Sequence, residues 1–213
     1  MIIAVDGPAA SGKGTIARAL AAHYGLPHLD TGLLYRAVGQ TVLDRGGDPA
    51  DAAAALAACD FDDVLLSDPR LKGSAAGNAA SVVSAHPNVR QALIDRQRAF
   101  ADQPGGAVLD GRDIGTVIAP HADAKLFVRA TSAIRARRRH DELTKSGASI
   151  SFDKVLADIK ARDLRDSTRA AAPLRQAEGA PLLDTSFMSI EAAIARAVQL
   201  VDAQLTCRDV RPT

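Results

Sequence analysis

The sequence of 213 residues contains no tryptophan, two tyrosines and five phenylalanines, so aromatics make up only 3% of it. A core must therefore be built from Ala, Leu, Val and Ile, and few rings are left on which nucleic-acid bases could stack. Cysteine is equally scarce. Cys59 and Cys207 are far apart and show no C-x-x-C spacing, which excludes a disulfide framework and a cysteine-based zinc site. Neither sign of charge dominates: 26 basic residues against 25 acidic ones leave a net charge of +1, which argues against a nucleic-acid partner. No apolar run approaches the roughly 20 residues of a membrane span. The apolar start "MIIAV" is too short for a signal peptide and stops at Asp6. One compact domain is expected, a cytoplasmic monomer with no nucleic-acid or membrane partner.

Four short apolar runs read as buried parallel strands: "IIAV" (2–5), "AVLD" (107–110), "AKLFV" (124–128) and "PLLD" (181–184), with a weaker fifth in "PHLD" (27–30). Helical patterns at 13–24, 32–45, 49–58, 87–101, 132–145, 151–166 and 189–204 separate them. Asp48 followed by Pro49 marks one helix start, and Ser189 with Glu191 another. The alternation predicts an α/β fold with a parallel sheet. Two segments are too long for simple crossovers, 48–104 and 129–170. Both follow the carboxyl ends of expected strands, where open α/β sheets bind ligands.

The most informative stretch is "IIAV-DGPAASGKGT-IARALAAHYG", a strand, a glycine loop and a helix. It departs from the usual G-x-x-x-x-G-K-[ST] phosphate loop, because Gly14 stands between Lys13 and Thr15. The physical reading is unchanged. Gly7, Gly12 and Gly14 allow backbone torsions and close approach, and successive N–H groups point into one concavity at a helix N-terminus. Lys13 supplies a mobile charge for β- and γ-phosphates, and the Thr15 hydroxyl can reach Mg²⁺ or a phosphate oxygen. G-K-G-T is the form found in nucleoside monophosphate kinases. The loop alone does not distinguish binding, hydrolysis and transfer.

Other stretches bear on the acceptor. In "LDTGLLYRA" (29–37), Thr31 reads as a helix cap, Tyr35 shares its face and Arg36 lies beside it; a cap, a core residue and a surface residue explain the spacing equally well. In "VLDGRDIGT" (108–116), Asp110 stands where phosphate-loop enzymes place a Mg²⁺-associated carboxylate. Arg112 and Asp113 follow in a polar turn. Ser81 and Arg90 could converge across the break at Pro87, although neither is distinctive by itself. Arg135, Arg138 and Arg139 form one helical stripe and Arg162, Asp166 and Arg169 another. A solvated face is the plain reading, and a closing lid that meets phosphate oxygens is the one favoured beside a phosphate loop.

Taken in order, "DGPAASGKGT", "LDTGLLYR", "NAAS", "DGRDIGT", "RARRR" and "KARDLRDSTRAAAPL" resemble the bacterial cytidylate kinases over nearly the whole chain. The resemblance implies the phosphate-loop nucleoside monophosphate kinase fold. Its expected parts are a five-stranded parallel core (1–47, 105–128 and 171–205), a shortened acceptor insertion (about 48–104), a helical lid (about 129–170) and a loose tail (206–213). It also implies ATP as donor, CMP or dCMP as acceptor, and Mg²⁺ at Thr15 and, through water, Asp110. Gly7, Pro8, Ala9, Ala10, Ser11, Gly12, Lys13, Gly14 and Thr15 would cradle ATP. Thr31, Tyr35, Arg36, Ser81, Arg90, Arg112, Asp113, Arg162, Asp166 and Arg169 would surround CMP, and Lys13, Arg135, Arg139 and Arg162 would stabilise the transition state. The run "LKGSAAG" replaces a longer, strand-rich stretch of the family, with Lys72 standing in for an arginine, so the insertion sheet is expected to be trimmed or partly disordered. Another phosphate-loop kinase, accepting UMP or a small metabolite, is the alternative.

Overall fold

Each apolar run forms a strand, including the weak fifth. The computed structural model describes residues 1–209 and contains a five-stranded sheet: β1 (Ile2–Asp6), β2 (His28–Asp30), β3 (Ala107–Gly111), β4 (Ala124–Arg129) and β5 (Leu182–Asp184). Every pairing is parallel, in the order β2-β3-β1-β4-β5. Strand β1 is central and buried on both faces. Ile3 and Val5 pack with Ile16, Leu20, Ala197 and Val201 of the helices α1 (Lys13–Tyr24) and α8 (Ile190–Asp209). Ala4 packs on the other face with Leu109, Ile114 and Ile118. The order places the loops after β1 and β3 side by side, the crevice where open parallel sheets take ligands.

Between β2 and β3 run α2 (Thr31–Asp44), α3 (Ala52–Ala57), α4 (Ser74–Val83) and α5 (Pro87–Ala101), which share a core of Leu34, Val38, Val83, Val89 and Leu93. Helices α6 (Ser132–Lys145) and α7 (Phe152–Thr168) pair after β4 around Ala136, Leu143, Val155 and Ile159, and Ala9 of the phosphate loop joins that cluster.

Several boundaries differ from the sequence expectation. Helix α3 starts at Ala52, capped by the Asp51 carboxylate on the N–H groups of Ala53 and Ala54, whereas Asp48 and Pro49 form a turn closed by Ala50 N–H on Asp48. Helix α4 was not expected, because "SAAGNAASVV" is low in large apolar residues. Its small residues serve tight packing instead: a Cβ added at Gly39 of α2 would lie 2.7 Å from the Ala79 Cβ. The trimmed insertion contains two 3₁₀ turns, Asp63–Ser67 and Pro69–Lys72, and no strand among the described residues. Helix α8 continues through Thr206 to Asp209, so the expected loose tail is helical there, and the remainder of that tail lies outside the described residues.

Candidate active site

The phosphate loop follows the buried end of β1. Gly7 is required sterically, since a Cβ there would lie 2.1 Å from the carbonyl oxygen of Val128. Gly12 has φ +90° and begins α1, whose first N–H groups face the loop, and Ala10 also takes a left-handed torsion, φ +58°. Gly14 does not meet the expectation placed on it: it lies inside the helix, and a Cβ there would sit at an ordinary 3.7 Å from Arg18 and Asp110. The loop is held from behind. Thr185 Oγ1 donates to Ser11 O at 2.8 Å, and Arg138 donates to Thr185 O at 2.6 Å and to Ser11 O at 3.4 Å.

Buried Asp6 joins this loop to the turn after β3. Its carboxylate accepts from the N–H groups of Ile114 and Gly115, each at 2.8 Å. The turn is wide, with Ala119 N–H reaching the carbonyl of Ile114 at 2.7 Å, and this geometry aims Arg112 and Asp113 back toward the crevice. Burial raises the Asp6 carboxyl to about 7 despite the two N–H donors.

At the phosphate-loop end of the crevice, Lys13 Nζ lies 3.7 Å from Asp110 Oδ2. Burial lowers the ammonium to about 8, and nearby Arg112 adds to the effect. His28 Nε2 holds Asp110 Oδ1 at 2.8 Å, which leaves Oδ2 buried without a hydrogen-bond partner. Asp30 lies in the same field, with its carboxyl raised by burial and then by Asp110. Asp30 rather than Thr31 caps α2, accepting from Gly32 N–H at 2.9 Å. The Thr31 hydroxyl instead donates to the Asp110 carbonyl at 2.9 Å. Thr15 is exposed on the first turn of α1.

The other end of the crevice, around Asp113, is assembled from distant segments. Arg90 of α5 donates to Asp113 and stands 5.6 Å over the ring of buried Tyr35. Arg169 Nη2 lies 3.7 Å from the other Asp113 oxygen. Burial raises the Asp113 carboxyl against the pull of these two guanidinium groups. Arg112 pairs with Asp166 at 2.9 Å, so its partner is on α7 and not its chain neighbour. Ser81 is buried on α4.

Between the two ends, positive charge gathers with only part of it balanced, Arg112 by Asp166 and Arg139 by Glu142. A Cβ built at Gly77 would lie 3.3 Å from Arg36 Nη1 and 3.4 Å from Arg162 Nη1, which places both guanidinium groups at one point of α4. Burial lowers Arg162 to about 9, followed by its neighbours Arg112 and Arg36. Its Nε is buried with no partner. Arg36 donates to Leu71 O at 2.6 Å, and Arg139 of α6 donates to Lys72 O at 2.9 Å, so these two grip one loop. Lys72 thus contributes a carbonyl there, and its side chain is exposed.

Arg135 also reaches the phosphate loop, but its donors are committed: to both oxygens of Asp163 at 2.8 and 2.6 Å, to Ala130 O at 2.8 Å and to Ala9 O at 3.2 Å. The sequence reading did not single out Asp6, His28, Asp30, Asp163 or Thr185. Only Asp6 and Asp30 carried a signal, since each ends a strand immediately before a loop already under suspicion.

Comparison with known proteins gives the family. A family model for cytidylate kinase matches residues 3–203. A cytidylate kinase of Xanthobacter autotrophicus is 59% identical, with 96% of this chain and 98% of that protein covered. Cytidylate kinases of Rhodopseudomonas palustris and Methylocella silvestris are 57% and 56% identical, each match covering 95% of this chain and 97% and 94% of the relative. Among solved structures, an uncharacterized protein from Eubacterium ventriosum matches with a TM-score of 0.54 at 16% identity, covering 95% of this chain and 98% of that one. A sugar kinase from Janibacter matches with a TM-score of 0.50 at 18% identity over 96% of each chain. These two show the fold alone. A glycine loop on a helix N-terminus, a convergent arginine cluster and a family match spanning almost the whole sequence together place this chain in the cytidylate kinase family.

Proposed function

We propose that the protein transfers the γ-phosphoryl group of ATP to CMP or dCMP, giving the corresponding diphosphates. The observation that carries this reading is an excess of guanidinium groups between Lys13 and the Asp113–Arg90 pair: Arg36 and Arg162, half-buried and without an ion-pair partner among the described residues, stand with Arg112 and Arg139, whose partners are Asp166 and Glu142. Such an excess is costly in an empty site and suits a site that receives anions from two sides. The match to curated cytidylate kinases at more than half identity supports the same reading.

In this reading residues 7–15 wrap the triphosphate with backbone N–H groups, and Lys13 adds a charge that follows the phosphoryl group. Asp110 Oδ2, buried against the start of α1 with no hydrogen-bond partner, and the exposed Thr15 hydroxyl are oxygen donors suited to Mg²⁺ and its water shell. Bound there with ATP, Mg²⁺ would neutralise charge on the β- and γ-phosphates. Arg36, Arg112 and Arg162 hold the acceptor phosphate, and Arg139 approaches with the lid. Positioning and charge neutralisation do most of the work in phosphoryl transfer. Arg135 acts indirectly, tying α6 to α7 through Asp163 and to the phosphate loop through Ala9. Thr31 acts in the same way on Asp110.

Asp113 accepts from the cytosine amino group, Ser81 and Arg90 donate to the remaining edge, and Tyr35 forms a wall. Arg162, Asp166 and Arg169 close over ribose and phosphate. Residues 48–104 act as the acceptor insertion and 129–170 as the lid, which excludes water once both substrates are bound. No helix among the described residues is long and apolar enough to cross a membrane. We propose a monomer working in the cytoplasm. Coupled assays with CMP, dCMP, UMP and AMP test the reading: CMP and dCMP should turn over fastest, and equal or faster turnover of UMP would overturn it.

A further inference from the structure

His28 has no part in the proposed reaction, yet it supplies the sole hydrogen bond to the Asp110 carboxylate among the described residues. Its Nε2 lies 2.8 Å from Oδ1. A carboxylate only accepts, so Nε2 carries the ring proton. The bond crosses between strands. In the parallel pairing of β2 with β3, His28 stands opposite Val108 and Asp30 opposite Asp110. His28 therefore reaches diagonally, past its own register partner, toward the carboxyl end of β3. The bond is also sheltered, with the Asp110 side chain only 1% exposed and that of His28 16%. Water is not at hand to replace the donor.

The two carboxylate oxygens are thereby made unequal. Oδ1 is spent on His28. Oδ2 has no hydrogen-bond partner and faces the start of α1, 3.7 Å from Lys13 Nζ and 3.7 Å from where a Cβ on Gly14 would stand. Thr15 follows directly in the chain. The backbone of Asp110 is fixed by the sheet, and its carbonyl accepts from the Thr31 hydroxyl. The side-chain torsions are the freedom left. Rotation about Cβ–Cγ would exchange the two oxygens or turn both aside, and the His28 bond removes that freedom.

We propose that His28 is a positioning residue for Mg²⁺, which by holding Oδ1 of Asp110 keeps Oδ2 aimed at the metal that accompanies ATP. This rests on reading Asp110 as a partner of Mg²⁺ and its water shell. Mg²⁺ tolerates little departure from octahedral geometry, so a carboxylate free to turn holds the hydrated ion less well. A residue that orients such a carboxylate contributes to metal affinity without touching the metal.

The test compares the full-length wild type with His28→Leu, His28→Gln, His28→Asn and Asp110→Asn. Titration calorimetry gives the affinity for an ATP analogue with a methylene bridge between its β- and γ-phosphates, once with Mg²⁺ and once with EDTA. The ratio of the two isolates what the metal gains on entering the site, since Mg²⁺ binding by the free analogue is common to all variants. We expect His28→Leu to lower this ratio by about tenfold, with affinity in EDTA and KM for CMP unchanged. Glutamine places an N–H near the former Nε2 and should restore most of the ratio. Asparagine is too short to reach, should behave as leucine does, and replaces it in the comparison if His28→Leu fails to fold. Equal losses with Mg²⁺ and with EDTA leave the ratio unmoved; they would show that His28 only supports the loop and overturn the proposal. An unmoved ratio in the His28 variants with a fall in Asp110→Asn overturns it too and leaves the reading of Asp110 standing. An unmoved ratio in Asp110→Asn as well overturns that reading with it.

Discussion

The proposed donor and acceptor ends of the crevice are built on different principles. The donor end is continuous in sequence: β1, residues 7–15 and α1 supply the cradle, largely from backbone N–H groups. The acceptor end has no continuous stretch. Arg36 comes from α2, Ser81 from α4, Arg90 from α5, Arg112 and Asp113 from the turn after β3, and Arg162 and Asp166 from α7. A backbone cradle depends on torsion and a helix end, so most of its side chains can change without loss of its donors. A side-chain cluster depends on each partner, and removing one leaves another charge buried and alone.

That contrast can be broken at several points. The largest effect is expected at Lys13, the cationic side chain of the donor end. Lys13→Ala should lower kcat/KM by about 10²–10³-fold while leaving the fold intact, as followed by steady-state rates and circular dichroism. Unchanged transfer would show that the backbone alone suffices. At the acceptor end, Asp113→Asn should reduce kcat/KM for CMP by about 10–100-fold, because Arg90 and Arg169 lose their counter-charge and the cytosine amino group meets an amide. KM for ATP should hold, and a parallel rise in it would mean that the two ends are one unit.

A smaller effect follows from pH. Burial brings Lys13 down to about 8 from 10.5, so the side chain is cationic below that value and neutral above it. A polyanionic ligand selects the cation. ATP affinity, measured by titration calorimetry, should therefore fall as pH rises from 7 to 9, and binding near pH 8 should take up protons. Affinity flat across that range would place the Lys13 ammonium higher. The smallest effect is expected at Gly14, where a Cβ has ordinary room. Gly14→Ala should change ATP affinity by less than about threefold and stabilise the start of α1 by up to about 1 kcal/mol, read as a small rise in Tm.

The same contrast explains what could be read from the sequence. The donor end was legible because its signal is local: an apolar strand, glycines at fixed spacing and a helix pattern lie within one window. The five strands and most helix spans were legible for the same reason. Helix α4 was not, because its alanines, Gly77 and Asn78 answer to Gly39 and to the arginines that cross it, neither of which is a neighbour in sequence. The cap of α2 was assigned to Thr31 and belongs to Asp30, since either residue satisfies the local pattern and only the Asp110 carbonyl decides between them. Arg135 and Arg139 share one helical stripe, yet one is spent on Asp163 and the other on the loop at Lys72.

Short-range chemistry in the sequence was enough to determine the parallel sheet, the phosphate loop and the inventory of arginines. Periodicity, glycine placement and charge act over a few residues and need no knowledge of partners. The tertiary fold alone decided which arginine faces which carboxylate, which are left without a counter-charge, and that His28 reaches Asp110. Those pairings depend on burial and on distances of a few ångströms between residues dozens of positions apart, a scale at which spacing along the chain carries no information.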